Sequence, residues 1–343
     1  MKVALAPGPH TAALMCLRVD PAEPCDPLMT FTSSGGCDGE SPGHPHHFVP
    51  DTSLRETISR LQHGPWSVVA GNGCVVKSLY LARWNAFIRY YEFVGEGQSL
   101  VFLAGLSFPS ILNFLAVVTH PELRGHHATL VDNFGAGLSD HPTGFSYSME
   151  DQAETVAEIL DCEQLSGCTV VGHSMGGTVA IMLALQRPDL VANLIVGEAN
   201  LTPGGGLATR HIASFSRDDY VSKTYPEELD QWREGAVADD PGSTFLLSAW
   251  GSADPSGLHG NSVSLVNLDD SFKDRYLSLP MRRTFIYGER SLPDRPEDVT
   301  ADAPDPGELQ AHGVTVSVVP NAGHSMIFDN LDGFVEALQQ AIG

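Results

Sequence analysis

Cys168-Thr169-Val170-Val171-Gly172-His173-Ser174-Met175-Gly176-Gly177 runs without a break from an apolar segment into a stretch that keeps helical character as far as Arg187. The β-branched and apolar residues at 168–172 predict a strand, and 176–187 predict a helix. Between them the pattern Gly-x-Ser-x-Gly sets Ser174 on a turn so sharp that the residues two places to either side must be small. Gly172 and Gly176 meet that demand. Such a turn lifts the hydroxyl above the sheet. It also aims the Met175 amide and the N-terminus of the next helix at any negative charge developing in front of the serine.

The same alternation extends in both directions. Upstream lie two strand-like runs at 75–81 and 86–93, a short turn apart, which suggest an antiparallel hairpin. A near-continuous apolar strand at 99–104 follows, then a helix at 110–119, a strand at 127–131 and a helix at 149–162. Downstream the order is strand 191–196, strand 283–288, helix 306–311, strand 314–319 and a last helix at 331–341. Strands that are apolar throughout and alternate with helices imply a parallel sheet covered on both faces.

Two segments depart from this rhythm. Residues 1–52 are rich in Pro, Gly, Ser and Cys and lack periodicity, so they read as a poorly ordered extension. Within them Gly43-His44-Pro45-His46-His47 reads as a flexible polar tract rather than a metal site. Order is expected from a short helix at 53–62. Residues 200–280 interrupt the alternation, with helical character at 216–224 and 226–234, and read as a cap over the C-terminal edge of a core built from 53–199 and 281–343. Phe215, Tyr220, Trp232, Phe245, Leu246 and Trp250 are its candidates for lining an apolar pocket, at least half of them going to the cap's own core.

The chain has 343 residues and a formal charge of −23, from 42 acidic and 19 basic side chains. Such a balance argues against nucleic acid and anionic membranes as partners, because the cations that neutralise phosphates are scarce. No apolar run is long enough to span a bilayer. Pro7 and Pro9 interrupt the short apolar patch at the N-terminus, so no secretion signal is read there. The six cysteines form no Cys-x-x-Cys pair and are expected as free thiols in the cytoplasm. Oligomeric state is left open.

The elbow is joined by two further motifs. Asp132-Asn133-Phe134-Gly135-Ala136-Gly137-Leu138-Ser139-Asp140 follows one strand, and Asn321-Ala322-Gly323-His324-Ser325 follows the last. Together they resemble the α/β-hydrolase superfamily over roughly residues 75–343. The resemblance implies a mostly parallel eight-stranded sheet with helices on both faces and an inserted helical cap. A serine needs a base to take its proton. Among 14 histidines, His324 follows an apolar strand and precedes the terminal helix, which makes it the expected base. His173 is expected to point away from the pocket and to be structural. Asn133 reads equally as a polar pocket group or a turn former.

The acid is where the chain departs from its relatives. They usually carry it after the seventh strand in a Gly-Glu-x-Asp pattern. Here that stretch is Gly288-Glu289-Arg290-Ser291-Leu292-Pro293-Asp294, with Ser291 at the aspartate position. A second location known in the superfamily, after the sixth strand, holds Glu198, 24 residues beyond the serine. Glu198 is the expected acid, with Asp294, another carboxylate or an acid-free Ser–His pair as alternatives. The family's oxyanion segment corresponds to Ala104-Gly105-Leu106-Ser107, which keeps the glycine but not the usual histidine or proline. The resemblance makes the Leu106 amide the second oxyanion donor beside Met175. These residues imply acyl transfer to water through an acyl-enzyme on Ser174, with no metal or organic cofactor. The substrate class is a small-molecule carboxylic ester, lactone or thioester with an apolar part. Carbon–carbon bond hydrolysis or acyl transfer on the same residues, and ligand binding without turnover, are the alternatives.

Overall fold

The computed structural model describes residues 66–69, 73–293 and 303–343. The helix expected at 53–62, the histidine tract at 44–47 and Asp294 lie outside the described residues. The strands are β1 (Trp66–Val69), β2 (Cys74–Leu81), β3 (Ala86–Phe93), β4 (Ser99–Leu103), β5 (His127–Asp132), β6 (Cys168–His173), β7 (Val191–Gly197), β8 (Arg282–Gly288) and β9 (Thr315–Val319). They form one sheet in the order β1-β2-β3-β5-β4-β6-β7-β8-β9. The strands from β4 to β9 are mutually parallel, while β3 runs antiparallel to β5 and pairs with β2 as the expected hairpin. The eight expected strands are β2 to β9. The short β1 adds an antiparallel strand along β2.

The main helices are α1 (Ser110–Val118), α2 (Met149–Cys162), α3 (Met175–Gln186), α4 (Leu207–Ala213), α5 (Tyr225–Val237), α6 (Pro241–Trp250), α7 (Pro255–Val266), α8 (Phe272–Leu277), α9 (Pro306–Ala311), α10 (Met326–Asp329) and α11 (Leu331–Ile342). The period of two along a strand divides its residues between two cores. Val101 and Leu103 of β4 join α2 and α3 on one face, whereas Leu100 and Phe102 join α1 and α11 on the other. Phe102 and Phe114 are both fully buried, with ring centroids 5.0 Å apart. Removing each such side chain from water contributes about 1.5–3 kcal/mol. Because α3 is covered all round, it is apolar all round: Met175 through Ala184 are all buried.

Between β7 and β8 the chain forms α4, a short helical turn Arg217–Asp219 that passes through a π-helical segment Tyr220–Thr224 into α5, and then α6 to α8. The helical readings at 216–224 and 226–234 match this region. Helices α6 and α7 were not anticipated, although each begins with an Asp-Pro pair. Asp240 and Asp254 accept hydrogen bonds from the amides of Ser243 and Gly257, and the following proline sits where no N–H is needed. The same device starts α9 at Asp305. Among the described residues no helix is long and apolar enough to cross a membrane.

The loop after β5 is organised by Asp132. Its buried carboxylate accepts from the amide (2.8 Å) and hydroxyl (2.6 Å) of Ser110, from the Leu138 amide (2.8 Å) and from the Tyr91 hydroxyl (3.4 Å). A side chain at Gly137, where φ is +55°, would collide with that carboxylate. The turn between β6 and α3 is tighter still. A Cβ on Gly176 would lie 2.0 Å from the Leu103 carbonyl oxygen, and one on Gly172 would lie 2.3 Å from that of Gly176. Gly176→Ala is therefore expected to cost about 1–3 kcal/mol. Gly242→Ala on exposed α6 should stay within about 0.5 kcal/mol of wild type. Urea denaturation of both variants checks the contrast, and equal stability would contradict it.

Candidate active site

Three residues from three loops meet above the C-terminal ends of β6, β7 and β9. Ser174 is the residue between β6 and α3, with φ 54° and ψ −124°, a conformation that L-residues rarely adopt. Glu198 follows β7 directly, also at positive φ (45°). His324 follows β9. Its Nε2 lies 3.0 Å from Ser174 Oγ, and its Nδ1 lies 2.8 Å from Glu198 Oε2. A carboxylate can only accept, so Nδ1 carries the proton and Nε2 is left to accept from the serine hydroxyl.

Each member is fixed by its neighbours. The Ser174 amide donates to the Gly197 carbonyl (2.8 Å), tying the elbow to the adjacent strand. The Glu198 amide donates to the Ile286 carbonyl (3.1 Å), and Glu198 Oε1 accepts from the Gly288 amide at 2.7 Å. Burial alone would raise the Glu198 pKa. The hydrogen bond and charge of His324, the Gly288 amide and the nearby Ser291 hydroxyl outweigh it and hold the carboxyl below its ordinary range. Asp329 accepts from the Gly323 amide (2.8 Å) and pairs with Arg290 (2.8 Å), bracing the loop that carries His324.

His173 corrects one expectation. Its ring does not point away but lies on the cavity wall behind His324, with ring centroids 5.1 Å apart. Its Nε2 donates to the His324 carbonyl oxygen at 2.7 Å. Burial, aided by the positive charge His324 can carry, pushes the His173 pKa down to about 4, so it stays neutral and holds the backbone of its partner.

The amides of Leu106 and Met175 donate to no acceptor among the described residues. Leu106 lines the same cavity as Ser174, and Met175 follows the serine directly as the first residue of α3. A Cβ on Gly105 would lie 3.7 Å from Ser174 Cβ, which shows how closely the first loop approaches. That loop is held from below and from above. The Gly105 amide donates to Asn113 Oδ1 of α1 (3.2 Å), Trp250 Nε1 of α6 donates to the Leu106 carbonyl (2.7 Å), and Asn261 Nδ2 of α7 donates to Ser107 Oγ (3.1 Å). Ser107 is itself at positive φ (47°). The anchoring roles of Trp250 and Asn261 escaped the sequence reading, since no motif marks a side chain that reaches a loop about 150 residues away.

In front of these groups opens a cavity of about 870 Å³. Phe245, Leu246 and Trp250 line it as expected, whereas Tyr220 is fully buried and Phe215 and Trp232 pack against the core. Asn133 does not reach it; its backbone carbonyl closes the turn to Ala136 instead. Ser291, at the expected aspartate position, is buried beside Glu198. Among the described residues no group of three or more His, Cys, Asp or Glu side chains is arranged to hold a metal ion.

Residues 100–337 match the model of the Alpha/beta hydrolase family. The chain is 28% identical over 257 residues to the sn-1-specific diacylglycerol lipase ABHD11 of Mus musculus, covering 70% of this chain and 79% of that protein. An esterase from Exiguobacterium antarcticum superposes with a TM-score of 0.60 at 18% identity, covering 77% of this chain and 97% of the other. The enol-lactonase from Burkholderia xenovorans LB400 gives 0.59 at 16% identity, covering 77% and 99%. At such identities the two structures speak for the fold alone.

The depressed pKa of His173 has a consequence for stability. Below its ordinary value near 6.5 the unfolded chain takes up a proton that the folded chain refuses. Its contribution is thus complete above pH 6.5 and is lost as pH falls towards about 4. Between those limits wild type should lose about 3 kcal/mol more than His173→Gln. Denaturant midpoints of both proteins across that range measure the difference, and parallel curves would refute it.

Proposed function

This chain belongs to the alpha/beta hydrolase family and is a hydrolase; on that premise we propose that it cleaves a carboxylic ester, lactone or thioester through an acyl-enzyme on Ser174. The observation that carries this reading is the continuous hydrogen-bonded chain from Ser174 through His324 to Glu198. His324 Nε2 takes the hydroxyl proton as Ser174 Oγ attacks the substrate carbonyl carbon. The oxygen that becomes negative lies between the amides of Leu106 and Met175, at the N-terminus of α3. One such donor is worth about 2.7–4 kcal/mol of the barrier. The imidazolium, stabilised by Glu198, returns the proton to the leaving group. The neutral imidazole left behind then takes a proton from water as its oxygen attacks the acyl carbon, and returns that proton to Ser174 Oγ as the acid leaves.

Glu198 takes the part of the acid in this reading, and Ser291 stands where relatives place theirs. The exchange is physically reasonable because β7 and β8 are adjacent parallel strands, so their C-terminal ends offer His324 two equivalent approaches. Residues 200–280 act as a cap, supplying Phe245, Leu246 and Trp250 to an apolar wall suited to a substrate with a substantial hydrocarbon part. A reducing, cytoplasmic setting fits the free thiols of Cys74, Cys162 and Cys168.

A fluorophosphonate probe should label Ser174 in wild type, and Ser174→Ala should abolish the labelling. Glu198→Gln keeps the shape of the acid and removes its charge, and should lower kcat by about 10⁴-fold. Placing a carboxylate in the turn that follows the neighbouring strand, in Glu198→Ala/Ser291→Asp, should recover about tenfold or more over Glu198→Ala alone. Normal turnover in Glu198→Gln would remove Glu198 from the mechanism, and absence of labelling in wild type would sink the hydrolase chemistry proposed for Ser174.

A further inference from the structure

Three aromatic rings from three different elements meet at one edge of the cavity. Phe108 comes from the loop after β4, Phe245 from α6 and Phe328 from α10. Their centroids lie 5.7 Å (108–245), 5.9 Å (108–328) and 5.4 Å (245–328) apart, so each ring touches the other two. All three line the cavity in front of Ser174. They also line a second hollow of about 490 Å³ on the outer surface, beside Leu112 and Ser248. The rings are therefore the partition between an inner cavity and an outer groove.

The groove is apolar where solvent can reach it. Leu112 is 50% exposed, Phe328 47% and Phe245 37%, three of the large hydrophobic side chains left in water by this fold, gathered on one face. Exposed apolar residues clustered around a hollow mark a binding surface. Among the described residues no cation lines the groove and its one charged residue is Asp239, which disfavours an anionic head group. Continuity with the cavity through shared rings favours a ligand that occupies both spaces over a separate protein partner. Rings in mutual contact must part to let a ligand through, and a thin, unbranched chain demands the least displacement and a wide ring system the most.

Resting on the function proposed above, we propose that the groove holds the distal part of an unbranched hydrocarbon chain whose carbonyl end sits at Ser174. The chain passes among Phe108, Phe245 and Phe328, so the preferred substrates are medium- to long-chain acyl esters. Every methylene that leaves water in the groove should raise kcat/KM about fourfold, until the groove is full.

The test uses p-nitrophenyl butyrate and p-nitrophenyl decanoate on the full chain. Ser248 lies on the exposed face of α6, where a tryptophan fills the groove from outside. Wild type should show a decanoate-to-butyrate ratio of kcat/KM of about tenfold or more, and Ser248→Trp should lower that ratio by about tenfold. Calorimetric titration of Ser174→Ala with the same two esters reads the groove without chemistry, and decanoate should bind at least about tenfold more tightly unless Ser248→Trp is added. A chain-length preference in binding without Ser174-dependent turnover would uphold the groove while removing the hydrolase reading. Ser174-dependent turnover with neither rate nor binding sensitive to chain length or to Ser248→Trp would overturn the groove and leave that reading standing.

Discussion

The turn at Ser174 is the constraint on which the rest of the site depends. At φ 54° and ψ −124° the backbone is held in a sparsely populated region, which costs of the order of 1–3 kcal/mol. The molecule sustains that strain by over-determining the turn. Gly172, Gly176 and Gly177 remove every Cβ that would obstruct it, with the strand β4 backbone at 2.0 Å from the space beside Gly176 and Ala199 at 2.7 Å from that beside Gly177. The Ser174 amide is bonded to β7, and α3 is buried on all sides and cannot swing away. The result is a hydroxyl raised above the sheet and an uncommitted Met175 amide beside it. Both arise from one local geometry.

The histidine that reaches the Ser174 hydroxyl and the carboxylate that reaches the histidine then have little freedom in where they can come from. His324 must descend from a loop long enough to reach the elbow, and its carbonyl is fixed from behind by a neutral His173. The acid must meet Nδ1 on the far side of the ring. Glu198 does so from β7, with positive φ turning its side chain back over the sheet and the Gly288 amide of β8 occupying its second oxygen. Having spent one lone-pair set on Gly288 and the other on His324, the carboxylate is both oriented and kept ionised despite its burial.

Much of this was legible from the chain alone, for physical reasons that differ by residue. The elbow is local: a strand, three glycines and a serine within ten residues specify it. That His324 reaches Ser174 was legible because its place in chain order, after the last strand, dictates its place in space. That a carboxylate at Glu198 meets His324 was legible by a subtler route, the loss of a carboxylate at Ser291 together with a gain at the end of the neighbouring strand. The helices α6 and α7 were missed because the expectation rested on periodicity, while their clearest signals are the Asp-Pro pairs at 240–241 and 254–255. His173 keeps the structural part expected of it, but its ring lies behind His324 rather than pointing away from the cavity. In the fold it is desolvation and a single carbonyl that settle its position.

What no local pattern could reveal is that the helices between β7 and β8 do more than cover the site. The loop bearing Leu106 has a residue at positive φ and few backbone bonds of its own, so left alone it would be the softest part of the constellation. Trp250 and Asn261 supply the missing restraints from α6 and α7, one gripping the Leu106 carbonyl and the other the Ser107 hydroxyl. The Leu106 N–H lies in the preceding peptide plane, whose Gly105 carbonyl accepts from the Phe108 amide at 3.0 Å, so that plane is held within the loop while α6 holds the next one. Trp250 also forms part of the cavity wall. One side chain of α6 thus both shapes the cavity and anchors the loop that approaches Ser174. A shift of α6 that changes the shape of the cavity must therefore also pull on that loop.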